Sequence, residues 1–180
     1  MNRRGLLGVL GLGAVAKLSD ARADEVDQTT ALAVRIVPTQ YQERGGGLIL
    51  LTRPSEHFHV VVTNVSGGPI RLWREWCSWG YYNLTFLVTV GADAPVVVKK
   101  QGRAWFGNWP DPETIPPGGH HVRDVTFDTV TWMDPPLPVA GGGRTVRMKA
   151  VFEIPTEAAK QHGVWTAKVS SPEEPYELRR

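Results

Sequence analysis

The fold of this chain is indicated most clearly by residues 57–63, which read HFHVVVT. Apolar residues alternate there at a period of two, the pattern of a β-strand with one face in a core. Phe58 and the two alternate valines after it fall on one face, while His57 and His59 fall on the other. The stretch therefore predicts a strand that buries its phenylalanine face and turns two imidazoles outward.

Other alternating or apolar runs lie on both sides of this strand and are separated by glycine- and proline-rich turns. They predict about eight or nine short strands in all, with a single helical turn over residues 156–161. Such a series indicates an all-β fold, an antiparallel β-sandwich rather than a parallel α/β sheet. The further strands are expected at residues 32–37, 48–51, 69–73, 84–90, 95–100, 122–127, 146–153 and 164–170.

Composition is consistent with one globular domain. The chain has 180 residues, 42% of them hydrophobic, which is enough apolar material for a packed core. Its single cysteine excludes an internal disulfide framework and any cysteine-rich metal site. We expect a flexible start over residues 24–30, one sandwich domain over 31–172 and a charged tail over 173–180.

The first 23 residues have the features of a cleavable export signal. Arg3 and Arg4 precede an apolar run over residues 5–16, which is too short to span a bilayer, and residues 21–23 read ARA. Cleavage is expected after Ala23. The arginine pair followed by Gly-Leu-Leu resembles a twin-arginine signal, so the predicted destination is the periplasm, the cell surface or the medium.

Removal of this segment would change the charge balance. The whole sequence has 20 Lys plus Arg and 18 Asp plus Glu, and the segment takes away four basic residues and one acidic residue. The mature chain then has a net charge near −1. Such a chain lacks the strong positive field typical of nucleic-acid binding, and we expect no nucleic-acid partner and no membrane span in it.

Three stretches resemble bacterial immunoglobulin-like domains. Residues 60–70, VVVTNVSGGPI, are similar to their paired strands, and residues 115–119, IPPGG, are similar to the approach to a later strand. Residues 163–171, GVWTAKVSS, resemble the closing strand of uncharacterised exported sandwich proteins. The resemblance implies an immunoglobulin-like fold and an exported setting, and it implies no catalytic residue.

The histidines are candidates for a metal site. His57 and His59 form an H-x-H pair on one strand face, which is half of a plausible copper or zinc site. His121, or its neighbour His120, is the expected third ligand, with Asp124 as a fourth. The alternative interpretation is a set of exposed histidines on a solvated face, without a cofactor.

Aromatic residues concentrate in the predicted loops. The candidates for contact with a ligand or partner are Trp76, Trp79, Tyr81, Trp105, Trp109 and Trp132. Loop tryptophans anchor protein partners or stack on sugar rings, and they also form lids over the open end of a sandwich. Three interpretations therefore stay open: a lid, a protein-binding surface and a glycan-binding surface.

Signatures of catalysis are absent from the sequence. It contains no G-x-S-x-G elbow, no H-E-x-x-H pair and no Walker loop, and Cys77 has no cysteine-protease motif around it. We therefore expect a non-enzymatic, exported immunoglobulin-like module that contacts an envelope protein through tryptophan-rich loops. A carbohydrate-binding module and a metal-binding protein or metalloenzyme are the alternatives.

Overall fold

The computed structural model describes residues 31–43, 45–51 and 56–180. The predicted export signal and the predicted flexible start lie outside the described residues. Thirteen strands, two one-turn α-helices and one 3-10 turn are found in the part that is described. The strands are β1 Leu32–Val37, β2 Gln40–Tyr41, β3 Gly47–Leu50, β4 Phe58–Asn64, β5 Ile70–Trp73, β6 Leu84–Thr89, β7 Val96–Lys100, β8 Pro112–Ile115, β9 His120–Val125, β10 Trp132–Met133, β11 Gly143–Ile154, β12 Ala167–Ser170 and β13 Glu174–Arg179.

Helical structure is confined to short connections. Helix α1 covers Ser78–Tyr81, helix α2 covers Thr156–Ala159, and the 3-10 turn covers Lys160–His162. The all-β prediction is therefore confirmed. No helix in the described ranges combines the length and the apolar character needed to cross a lipid bilayer.

The strands form three sheets. One has the order β1-β4-β9, a second has the order β10-β7-β6-β11-β13-β3-β2 with β12 also paired to β11, and a third is the pair β5-β8. All recorded pairs are antiparallel except β13 with β3. The long strand β11 organises the large sheet because β6, β12 and β13 all pair with it.

The core lies between the three-stranded and the eight-stranded sheet. Phe58 of β4 and Phe86 of β6 are both fully buried, with ring centroids 5.8 Å apart in an edge-to-face contact. Phe127 and Trp132 extend this aromatic cluster. The prediction from the period-two pattern of residues 57–63 is therefore confirmed, because the phenylalanine–valine face of this strand is buried. Apolar packing, rather than crosslinks, holds the two sheets together.

The structure differs from the sequence-based expectation at the C-terminus. Residues 173–180 were expected to form a charged tail outside the domain, but β13 lies inside the large sheet between β11 and β3. Its Tyr176 and Leu178 are buried, and its charged residues alternate with them. A half-buried strand can carry many charges, because only every second side chain needs to be apolar. The charged composition of this segment therefore did not indicate a strand.

The strand count also exceeds the expected eight or nine. Strands β2, β8, β10 and β13 were not predicted, and two of them are only two residues long. β8 starts at a proline inside a segment that reads as loop. Strand β8 forms through its antiparallel pairing with β5, and the local sequence does not indicate that pairing.

Candidate functional site

Two loops form the aromatic region of the molecule, residues 74–82 and residues 101–111, and we call them the aromatic loop pair. The first connects β5 to β6, and the second connects β7 to β8. β5 pairs with β8 and β6 pairs with β7, so both ends of each loop start from a hydrogen-bonded ladder. At one end the amide of Arg74 donates to the carbonyl of Asp111, at 3.0 Å. The pairing of these strands therefore holds the loops side by side.

Side chains also tie the two loops together. Trp76 Nε1 donates to Asp111 Oδ2 at 2.6 Å, and the Ser78 amide donates to Asn108 Oδ1 at 2.9 Å. Asn108 Nδ2 donates back to Ser78 Oγ at 2.7 Å. On the other flank the Arg103 guanidinium of the second loop lies over the ring of Tyr81 of the first, 5.2 Å from its centroid. These contacts hold the two loops in one arrangement.

Gly80 permits the tight path of the first loop. A Cβ atom at this position would lie 1.9 Å from the carbonyl oxygen of Arg74, so the loop closes on itself only because a glycine stands there. Cys77 is buried at the turn, and its thiol donates to the Arg74 carbonyl at 3.2 Å. A buried thiol with this single weak hydrogen bond packs much as a small apolar side chain does.

A buried ion network supports the loop pair from below. Arg123 of β9 is 2% exposed and donates to the carbonyls of Trp73 and Gly80. Glu75 lies 3.2 Å from Arg123 Nη1 and accepts from Lys100 Nζ at 3.0 Å. Lys100 in turn lies over the ring of Trp132, 4.6 Å from its centroid. One carboxylate thus joins strands β7 and β9 to the first loop.

The structure divides the predicted aromatic residues into two groups. Trp132 and Tyr81 are buried, and Trp79 packs against the core. Trp76 is 64% exposed and Trp109 is 78% exposed, while Trp105 is half-buried beside Tyr81. The predicted residues therefore comprise rings that belong to the core or pack on it and rings that are open to solvent.

Phe106 was not among the predicted site residues, although it is 96% exposed and lies between Trp105 and Trp109. The sequence could have indicated this residue, because an aromatic side chain next to Gly107 in a loop that contains Pro110 has few core residues to pack against. Arg123 and Glu75 were also missed. A charged residue on the inner face of β9 breaks the alternation that guides a sequence-based search.

A cleft of about 280 Å³ opens beside Trp76. Its walls include Glu113 of β8 and His121 of β9, whose Nδ1 donates to the Glu113 carboxylate. Burial and the neighbouring Arg123 guanidinium lower the pKa of His121 to about 4, although Glu113 acts to raise it. His121 is therefore neutral at pH 7. Its Nε2 is buried without a hydrogen-bond partner, so it is not open to a ligand in the cleft.

The candidate metal ligands His57, His59 and Asp124 lie outside that cleft, since none of them is among its lining residues. His57 and His59 are brought together, with ring centroids 5.0 Å apart, and Asp124 joins them across the β4–β9 ladder. His121 points inward and does not join them, because neighbouring residues of a strand face opposite sides. The expected set of His57, His59 and His121 is corrected to His57, His59 and Asp124.

Comparison with known proteins returned no match: no family model, no curated protein and no solved structure is similar to this chain.

Proposed function

We propose that this chain is an exported, non-enzymatic immunoglobulin-like module that binds a protein of the cell envelope through the aromatic loop pair. The observation that carries the proposal is the exposure of three large rings, Trp76, Phe106 and Trp109, on these two loops. Exposed aromatic side chains of this size are costly in a soluble domain and are typical of interaction surfaces.

The restraint of the loops supports binding rather than disorder. Aromatic anchors contribute most when their scaffold is already ordered, since less entropy is lost on association. Hydrogen bonds between the loops and paired strands at both ends provide that order here. Phe106 favours a protein partner in particular, because its ring offers no polar group and suits an apolar pocket.

Glycan binding is the second candidate, and the cleft beside Trp76 favours it. Arg74 covers one side of the Trp76 ring, 4.9 Å from its centroid, and Glu75 and Glu113 add carboxylates to the cleft walls. A sugar ring can stack on an indole while its hydroxyl groups form hydrogen bonds with the charged groups around it, so this arrangement suits a glycan.

The immunoglobulin-like assignment rests on the three resembling stretches together with the packing of one sheet on another across Phe58 and Phe86. Export rests on the signal-like pattern of residues 1–23. N-terminal sequencing of the protein recovered from its producing cells tests export: Asp24 is the expected first residue, in a fraction outside the cytoplasm. An intact Met1 in the cytoplasmic fraction contradicts it.

Site-specific photo-cross-linking tests the binding surface. A benzophenone side chain replaces Phe106 in one variant. In the control variant it replaces Val139, which is 75% exposed on the loop between β10 and β11. Irradiation of producing cells is expected to give one discrete adduct at position 106 that the additional change Trp109→Ser abolishes. Adducts that are identical at both positions contradict the proposal.

The chemistry of the adduct separates the two candidates. If peptides from the gel-isolated adduct include sequences foreign to this chain and the adduct mass resists periodate, the partner is a protein, as proposed. An adduct that yields only peptides of this chain and loses its added mass on periodate oxidation instead identifies a glycan and overturns the protein assignment.

A further inference from the structure

We infer that His57, His59 and Asp124 form a binding site for a divalent transition-metal ion, with Zn²⁺ or Cu²⁺ as the chemical class. The site lies on the outer face of the three-stranded sheet, and it is independent of the binding function proposed above. The three side chains present donor atoms that all lie within 4.8 Å of one another.

Strand geometry brings these ligands together. His57 immediately precedes β4 and His59 is its second residue, so the two imidazoles share one side of the strand. Asp124 is the direct partner of His59 in the antiparallel pairing of β4 with β9. Phe58, between the histidines, is fully buried and fixes the backbone from the other side. The cluster is therefore set by the β-ladder rather than by mobile chain.

The distances are close to those a metal requires. Zinc binds imidazole nitrogen and carboxylate oxygen at about 2.0–2.2 Å, so two ligands of one tetrahedral ion lie roughly 3.3 Å apart. His59 Nδ1 and Asp124 Oδ1 are already 2.8 Å apart, joined by a hydrogen bond. The donor separations, at most 4.8 Å, would shorten by up to about 1.5 Å through side-chain rotation when all three bind one ion.

The donor set selects the class of ion. Two imidazoles and one carboxylate suit zinc and copper, whereas magnesium and calcium favour all-oxygen sites. The side chains of His59 and Asp124 are 39% and 68% exposed, so an ion has access from solvent. With three protein ligands, a fourth coordination position stays open to water or to another molecule.

The remaining histidines of the sheet do not contribute to this cluster. His120 lies at the far end of the β4–β9 pairing, where its Nδ1 is 2.9 Å from the hydroxyl of Thr63. His121 is buried on the inner face. His120 therefore serves as a matched control: it is an exposed histidine on the same strand and the same face, outside the cluster.

Isothermal titration of the untagged, chelator-treated full chain with ZnCl₂, and separately with CuCl₂, tests the site. We expect saturable binding of one ion per chain for at least one of the two metals. His59→Ala and Asp124→Ala should each weaken that binding at least tenfold, and His120→Ala should leave it unchanged. Thermal unfolding provides a second readout, since an ion that binds only the native state raises Tm in the wild type and in H120A but not in H59A.

Two results would overturn the inference. One is the absence of saturable binding of either metal to the folded wild-type chain. The other is binding that His120→Ala weakens as much as His59→Ala does, which would assign the ion to a different set of donors. Circular dichroism of each variant before titration confirms that the chain is folded, so that lost binding is not mistaken for lost structure.

Discussion

The guanidinium of Arg123 and the carboxylate of Glu75 lie 3.2 Å apart beneath the aromatic loop pair, and the arginine side chain is 2% exposed. Glu75 also accepts from Lys100, whose side chain is 7% exposed. One partly exposed carboxylate is thus the shared counter-ion of two buried cations. Because an unpaired buried charge is expensive, the position of the first loop is coupled to the stability of the sheets beneath it.

Replacing Glu75 should therefore destabilise the whole domain. In Glu75→Gln the two buried cations lose their shared counter-charge, and we expect the free energy of unfolding to fall by about 3 kcal/mol. Urea denaturation followed by tryptophan fluorescence measures it. The matched control is Glu153→Gln, which removes an exposed partner of Lys168 and should cost less than about 1 kcal/mol. Equal effects of the two substitutions would refute the buried network.

Gly80 offers a test of the loop path. Gly80→Ala places a Cβ against the Arg74 carbonyl oxygen and forces the loop to shift, so a loss of about 1–3 kcal/mol is expected. Gly102→Ala, in the second loop, is the control because nothing lies within 4 Å of its added Cβ. Thermal unfolding should show a lower Tm for the first variant and little change for the second; unchanged Tm in both would contradict the described path.

His121 should make the stability depend on pH. Its pKa is lowered from 6.5 to about 4 in the folded chain by burial and by Arg123. Between these values the unfolded chain binds a proton that the folded chain does not bind. Stability is therefore full above about pH 6.5 and falls as the pH is lowered toward 4, with a slope of up to about 1.4 kcal/mol per pH unit from this group.

Substitution isolates that contribution from the titration of carboxylates. Denaturant unfolding is measured from pH 4 to pH 8 for the wild type, His121→Gln and His120→Gln. The glutamine of His121→Gln cannot take up a proton, so the free energy of unfolding should depend less steeply on pH in that variant. His120→Gln should show the same pH dependence of stability as the wild type. Three superimposable profiles would show that His121 is not buried in its neutral form.

The C-terminal strand gives a prediction about the fold itself. Truncation after Pro172 removes β13, which pairs with both β11 and β3 and buries Tyr176 and Leu178. We expect the shortened chain to lose cooperative unfolding, as judged by near-UV circular dichroism. A truncated chain that unfolds with the wild-type Tm would instead match the dispensable tail that the sequence indicates.

Alternation of apolar residues made much of this fold predictable. Every second side chain is buried over residues 57–63, where β4 is found, and over residues 146–153 of β11, where Val151 is buried in addition. Strand β8 and the two-residue strands were not predictable in this way, since their pairing depends on partners distant in sequence. The same limit applies to β13, whose charges face outward on one side only.

The sites were predictable only in part, for a related reason. Clustering of tryptophans in loops is visible in the sequence, but which rings are open depends on tertiary packing: Trp132 is buried and Trp109 is not. The choice between His121 and Asp124 depends on strand register, which pairs His59 with Asp124. A shift of one residue would have exchanged the two faces of β9.

Equilibrium binding of the labelled full chain to isolated cell envelopes tests whether the exposed rings of the aromatic loop pair form a binding surface. We expect saturable binding whose Kd rises about 1,000-fold in the double variant Phe106→Ser, Trp109→Ser, because each exposed anchor contributes about 2 kcal/mol and 1.4 kcal/mol is about tenfold in Kd. The control double variant Tyr41→Ser, Val139→Ser removes two other exposed side chains, 65% and 75% exposed, and should bind as the wild type does. Identical binding curves for the two double variants would contradict such a surface.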